Sequence, residues 1–304
     1  NMKQIGLAAH NHLSTRKAFP PLASWRESGK GPWHPGNYAK TPGGGGEGHN
    51  FAALFYLMPY MELTSAYEAI FEDNVAGNRT DKQVTDAAAR AARTNPVAGF
   101  QCPSSAVNNL DTSAKFGPLC SKSNYVGNGG PIRSTGGKNQ ATNIAKVSLG
   151  ALCRGKLIKP RDITDGLSNT IMFGEVGGAA DIEGDTNGAF DDDAKICGLW
   201  VSGGGGHNGN DAAVRYTGNG RTLNRGRNRN FGSSHQGIVG FLMADGSNTF
   251  LSEAISFNAN GVANTDQNDA AKISAALAKV NYPVCGVLQK LSNRSDGNPV
   301  SIPE

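Results

Sequence analysis

Residues 231–247, FGSSHQGIVGFLMADGS, place nine residues between a histidine and an Asp-Gly pair. His235 and Asp245 are residue types that can act as a general base and its orienting carboxylate, or as two ligands of one metal ion. A hydrogen-bonded pair must meet within roughly 3 Å. The residues between them include GIVGFLMA, an apolar run rich in strand formers, and a second short run, SNTFLS, follows the Asp-Gly pair. Asp-Gly between two such runs signals a hairpin through a type I′ turn, which needs positive φ at both central residues. A continuous strand at ~3.3 Å per residue would hold His235 and Asp245 up to ~30 Å apart. The spacing therefore predicts Asp245-Gly246 in a turn and His235 at the end of the preceding loop, with no dyad between them. A hydrolase would need His235 to meet a carboxylate from elsewhere, such as Asp162 or Asp165.

Other segments carry residue types suited to binding. In DIEGDTNGAFDDD, Glu183, Asp185, Asn187 and Asp191 alternate oxygen-bearing side chains around a glycine, the pattern by which a tight loop aims hard ligands at calcium. The first position is Glu and no bidentate Glu stands at the twelfth, so a solvated acidic loop is the competing reading. RTLNRGRNRN gathers Arg221, Arg225, Arg227 and Arg229, suited to anionic polysaccharide, to phosphate or to another subunit, against the alternative of a solvated loop. Trp25, Trp33 and Tyr38 in one loop, with Tyr216 near the arginines, supply faces that stack on sugar rings. Few aromatics interleave with the arginines, which argues against nucleic acid. The six histidines show no HExxH spacing, and neither GxSxG nor a P-loop occurs. No catalytic constellation is legible, and the chain reads as non-enzymatic, with no cofactor expected beyond the calcium reading.

The elements that position these residues follow from composition and pattern. The chain has 304 residues with 38% hydrophobic and 18% charged, 41 glycines and a net charge of +4. That length supports a self-sufficient core, and the composition suits a loop-rich exported protein. Five cysteines, none in a CxxC pair, fit up to two disulfides and an odd thiol in an exported chain, or buried thiols in a reducing compartment. NMKQIGLAAHNHL starts inside a helical pattern with Met2, Ile5, Ala9 and Leu13 on one face, as though an earlier part of the helix were missing. A second helix is expected over HNFAALFYLMPYMELTSAYEAIF, kinked or divided at Pro59, a third over Asp81 to Arg93, and a last around Ala270 to Val280. Between them VAGFQC, SNYVG, ALCRGKLI, NTIMFGEV, GLWVS, GIVGFLMA and SNTFLS read as strands. Helices first and strands later, without βαβ alternation, predict an α+β fold with an antiparallel sheet.

With AFPP, LMPYMELTSAY, FQCPSS, SNYVG, RDITDGLSNTIMFGE, FGSSHQGIVGFLMADGSNTFLS and LQKLSNRSDGNPV in this order, the chain resembles the prepilin-type H-X9-DG family. This is a bacterial domain of unknown function (DUF1559), also labelled solute-binding family 10. The resemblance implies a type II secretion pseudopilin-like protein. Its N-terminal α-helix, ending near residue 17, would pack on an antiparallel β-sheet with long irregular loops. Residues 18–304 would then be a single globular domain, helical over about 49–94, sheet over about 97–256, with a C-terminal helix and tail over 257–304. It also implies self-assembly into a filament or lattice, or a part in secretion, with membrane contact only through an N-terminal apolar helix absent from this chain. The alternative is an extracellular glycan- or solute-binding module. Within the family segments, Asp165-Gly166 offers a turn and Asn169 and Thr170 can bond nearby backbone. Asp162 and Glu175 could pair a buried Arg161 or ligate calcium.

Overall fold

The computed structural model describes residues 1–23, 25–26, 32–33, 49–75, 86–105, 110–111, 120–131, 148–153, 156–177, 198–199, 201–203, 214–217, 222–224, 230–258, 274–275 and 278–300. Helix α1 (Met2–Arg16) buries Met2, Ile5, Gly6, Ala8, Ala9 and His12 and leaves Leu7 65% exposed. The helix stops at Lys17, which takes a left-handed conformation (φ 60°) and donates its backbone N–H to Leu13 O at 2.8 Å, the usual way to satisfy an end carbonyl.

Strands β1 (Trp25–Arg26) and β2 (Pro32–Trp33) form a short antiparallel pair with Trp25 opposite Trp33. Strand β3 (His49–Phe51) leads into α2 (Ala53–Leu57). Pro59 lies in the 3-10 turn Met58–Tyr60 and separates α2 from α3 (Thr64–Val75). The expected second helix is thus divided at the proline, and its first residues are extended. Helix α4 (Ala87–Thr94) is capped by Asp86, whose Oδ1 accepts from Ala89 N at 2.8 Å. The cap satisfies one of the orphan donors of the first turn.

Downstream come β4 (Leu110–Asp111), β5 (Cys120–Ser123), β6 (Tyr125–Asn128), β7 (Ile171–Glu175), β8 (Gly198–Leu199), β9 (Val201–Gly203), β10 (Val214–Arg215), β11 (Ile238–Met243) and β12 (Asn248–Ser252), then helix α5 (Val287–Ser292). The main sheet runs β10-β6-β7-β11-β12; its last four strands are antiparallel, whereas β10 joins β6 in parallel. The fold is therefore α+β, with one parallel edge that the strand order in sequence did not announce. Elsewhere β3 pairs with β9, and β5 lies between β4 and β8.

Both faces of the central strands β6, β7 and β11 are covered, while the edge strand β12 is mostly exposed. On one side Met172, Phe173 and Leu242 join α1 and α2 through Ile5, Ala9, Phe51 and Phe55. On the other, Val126, Ile171, Val239, Phe241 and Met243 pack with Phe231, Leu288 and Leu291. Burial on both faces explains why β7 and most of β11 read as unbroken apolar runs rather than as alternation.

Two expected strands are corrected. VAGFQC holds the 3-10 turn Ala98–Phe100, consistent with two small residues that offer a pleated surface little to pack. The described residues of ALCRGKLI form bends without ladder bonds to a neighbouring strand. Only part of the expected last helix, residues 274–275 and 278–280, is described. No helix among the described residues is long and apolar enough to cross a membrane.

Candidate functional site

The β11–β12 hairpin places Asp245 in its turn and leaves His235 in the loop ahead of β11. The turn differs in type from the expected I′. Met243 N donates to Ser247 O at 2.9 Å and Gly246 N to Met243 O at 3.0 Å, so the loop has three residues, Ala244 to Gly246. Only Gly246 has positive φ there (88°), as in a three-residue hairpin loop closed by a left-handed glycine. Asp245 Oδ1 accepts from Ser247 N (2.8 Å) and Ser247 Oγ (2.6 Å), which fixes the turn and spends that carboxylate on structure.

His235 does not meet Asp162 or Asp165. Its Nε2 lies 3.5 Å from Sγ of Cys102 and 3.9 Å from Oε1 of Glu175. The three donor atoms lie within 4.8 Å of one another. Each arrives on a different element. Glu175 is the last residue of β7, Cys102 follows the 3-10 turn Ala98–Phe100, and His235 precedes β11. The Glu175 side chain is 7% exposed and that of His235 35%, so the cluster is closed at the carboxylate and open at the imidazole.

Backbone-directed bonds hold each donor. Asn124, buried between β5 and β6, accepts from Cys102 N at 2.8 Å and donates to Val176 O at 3.2 Å and Ser105 Oγ at 3.1 Å. It thereby ties the cysteine loop to the end of β7. Glu175 Oε2 accepts from Gly240 N at 2.8 Å, leaving Oε1 to face the histidine. A Cβ on Gly240 would lie 3.0 Å from the Glu175 carboxylate, so the carboxylate uses the space a side chain would take. His235 is set by Ser233, whose Oγ accepts the His235 N–H at 3.1 Å, while Ser233 N donates to Asn224 Oδ1 at 2.7 Å. Beside the cluster, Tyr125 pairs with Glu175 across β6–β7. Burial, and then the nearby Cys102 and Glu175, raise its phenol above the usual range, so it stays protonated.

The chemistry of this arrangement follows from which ring nitrogen is addressed. A nucleophile-histidine-acid relay puts nucleophile and carboxylate on opposite ring nitrogens. Here thiol and carboxylate both face Nε2. The geometry is that of three donor atoms, sulfur, nitrogen and oxygen, gathered within 4.8 Å of one another.

The other sequence-derived candidates lie elsewhere. Asp165 clamps the tail: its Oδ2 accepts from Asp296 N at 2.7 Å and its Oδ1 from Gly297 N at 3.0 Å. Gly166 (φ 100°) turns the chain, Asn169 Nδ2 donates to Asp165 O at 3.3 Å, and Thr170 Oγ1 donates to Gly166 O at 2.9 Å. Asp162 accepts from Lys159 N at 2.9 Å, and Arg161 is exposed, so the expected buried arginine with Asp162 and Glu175 as partners does not form. Glu183, Asp185, Asn187, Asp191, Arg221, Arg225, Arg227 and Arg229 lie outside the described residues, and for Trp25 and Trp33 only the backbone is described. Cys102, Cys153 and Cys285 are free thiols, so of the up to two disulfides expected among five cysteines at most one can form, and the second is excluded. The side chains of Cys120 and Cys197 are not among those described.

Sequence reasoning missed Cys102 as a partner of His235 and gave Glu175 a different one. A signal was present: FQCPSS, IMFGE and SSHQG each contribute one ligand-type side chain to segments quoted for the family resemblance. A family model described as Protein of unknown function (DUF1559), SBP_bac_10, matches residues 1–258. The chain belongs to this family. No curated protein and no solved structure matched it. The DUF1559 match takes in all three donors of the cluster and the whole β11–β12 hairpin.

Proposed function

We propose that this DUF1559 protein is a non-enzymatic envelope or surface protein of pseudopilin type. Its globular part would be displayed by a longer N-terminal helix and assemble with copies of itself into a filament or lattice, or act in secretion. The observation that carries this reading is α1. One side of the helix is buried on the antiparallel sheet, with Gly6 so close that a Cβ there would sit 2.9 Å from Leu242 Cδ1. Its other side presents Lys3, Gln4, Leu7, Asn11 and Ser14, with Leu7 65% exposed. An amphipathic helix seated on a sheet with an apolar residue left outward is suited to pack against other helices of its kind. Electron microscopy of the full-length precursor, with sedimentation of the chain over a wide concentration range, tests the reading. Ordered filaments or sheets are expected. A particle that stays monomeric at every concentration contradicts it.

The register of β1 and β2, with Trp25 opposite Trp33, favours a second reading, an extracellular glycan-binding module. Aromatic residues brought together in this way can form a sugar platform. Binding on an array that includes sulfated polymers is expected under this reading, and an array without a hit removes it.

A further inference from the structure

We propose that Cys102, Glu175 and His235 form a binding site for one divalent transition metal ion, with zinc favoured by the donor set. The site is independent of the assembly reading and stands or falls separately.

The geometry supports it in three ways. Zinc held at ~2.0–2.3 Å by tetrahedral sulfur, nitrogen and oxygen donors sets those donors roughly 3.3–3.7 Å apart. The observed Sγ to Nε2 distance of 3.5 Å falls within that span and the Nε2 to Oε1 distance of 3.9 Å is slightly beyond it. The third edge, Sγ to Oε1, lies within 4.8 Å, so binding would draw the Cys102 and Glu175 side chains together as well as turning the part-exposed imidazole. The donors also face the right way. Thiol and carboxylate converge on the one ring nitrogen rather than spanning the ring. Asn124 and Ser233 fix the backbone of Cys102 and His235, and Gly240 N bonds the Glu175 carboxylate itself at Oε2, an outer contact of the kind that orients a ligand and sharpens affinity.

The donor types narrow the ion. One thiolate with one imidazole and one carboxylate suits zinc and its first-row neighbours, whereas calcium and magnesium call for oxygen donors alone. Three protein ligands leave a tetrahedral ion one further position, and the 35% exposure of the His235 side chain puts that position on the solvent side. Water or a side chain of another molecule would complete it. The ion would also tie three segments at one point, with Cys102 and His235 separated by 133 residues in sequence. The expected consequence is a metal-dependent stability.

The test uses the full chain after chelator treatment, titrated with Co²⁺ and then Zn²⁺. One Co²⁺ per chain is expected, with a thiolate-to-cobalt charge-transfer absorption and the visible bands of a tetrahedral ion, both displaced by Zn²⁺. Cys102→Ser should abolish the charge-transfer band, and Glu175→Gln and His235→Gln should weaken Zn²⁺ binding by at least ~10-fold to 100-fold, the scale set by lesser outer-shell changes. Cys153→Ser and Cys285→Ser should leave both unchanged. Gly240→Ala guards against misfolding as the explanation, because it keeps every ligand and displaces only the carboxylate; it should weaken Zn²⁺ while the metal-free melting curve stays cooperative. The proposal is overturned if no charge-transfer band appears, or if the band and the Zn²⁺ affinity survive Cys102→Ser.

Discussion

At the scale of single residues, Asn124 bears on the cluster as strongly as the donors do. One buried amide connects the Cys102 loop, Ser105 and the end of β7. Replacing it with alanine takes the Asn124 partner from a part-buried N–H and a buried carbonyl, at about 1–3 kcal/mol each where water cannot replace the lost bond. Asn124→Ala should therefore lower unfolding stability by about 3 kcal/mol in a urea titration, and should also free the cysteine loop, so that Cys102 reacts faster with a thiol reagent. Nothing in SNYVG marks its asparagine for this role, because the groups it holds come from distant parts of the chain. The Cys102–Glu175–His235 juxtaposition was hidden for the same reason. Residue types can be read from a sequence, but a meeting of three segments depends on how the strands pair.

Two ionisable groups, the buried His12 and the half-buried Asp296, act on stability with opposite sign. His12 is buried on α1 with Nδ1 donating to Ala18 O at 2.9 Å; burial, the largest cause, pulls its pKa down to about 4. The fold therefore holds it neutral, and its contribution is present above the ordinary value of 6.5 and is lost as pH falls through about 4. Asp296, beside Asp165, is raised from 3.8 to about 6, chiefly by burial. Its contribution is present below 3.8 and is lost as pH rises through about 6. Melting temperatures measured across this range should show the two slopes offsetting each other in the natural chain. Asp296→Asn should expose the acid-side loss alone and raise stability at neutral pH, while His12→Gln should leave stability falling as pH rises. A variant pair with identical profiles would contradict the assignment.

At the scale of elements, the hairpin, α1 and the break at Pro59 were legible because each depends on local sequence: turn residues, helical period and a missing N–H. Turn type was less so. Asp-Gly fits a type I′ turn, yet the chain adds Ala244 and leaves only Gly246 at positive φ. Packing against α1 accompanies this choice, since a Cβ on Gly246 would lie 3.2 Å from His10 Nε2. Gly246→Ala should cost about 1–2 kcal/mol for the left-handed backbone alone, and more once His10 must move. Gly297→Ala, also at positive φ (73°) but in open space, is the matched control. Chemical unfolding of both should show the larger loss at Gly246, and equal losses would deny the contact with α1 any energetic weight. The parallel edge strand β10 and the 3-10 turn in VAGFQC were not legible, since short segments take their form from the partner they meet.

At the scale of the whole molecule, the central strands of the sheet are covered on both faces, by α1 and α2 on one and by Phe231 and α5 on the other. Beside it, the end of β7, the loop after the 3-10 turn Ala98–Phe100 and the loop ahead of β11 carry the donor cluster, with Glu175 buried and His235 reaching solvent. The α+β class followed from element order, whereas the function did not: the His235–Asp245 motif resolves into a turn and a ligand-type residue whose partners lie elsewhere. The claim that most needs testing is that Cys102, Glu175 and His235 act together on one ion. The direct measurement is anomalous X-ray scattering at the zinc edge from crystals grown with stoichiometric Zn²⁺. The account predicts a peak ~2.0–2.3 Å from Cys102 Sγ, His235 Nε2 and Glu175 Oε1. An ordered cluster without a peak, at full zinc occupancy elsewhere in the molecule, would contradict it.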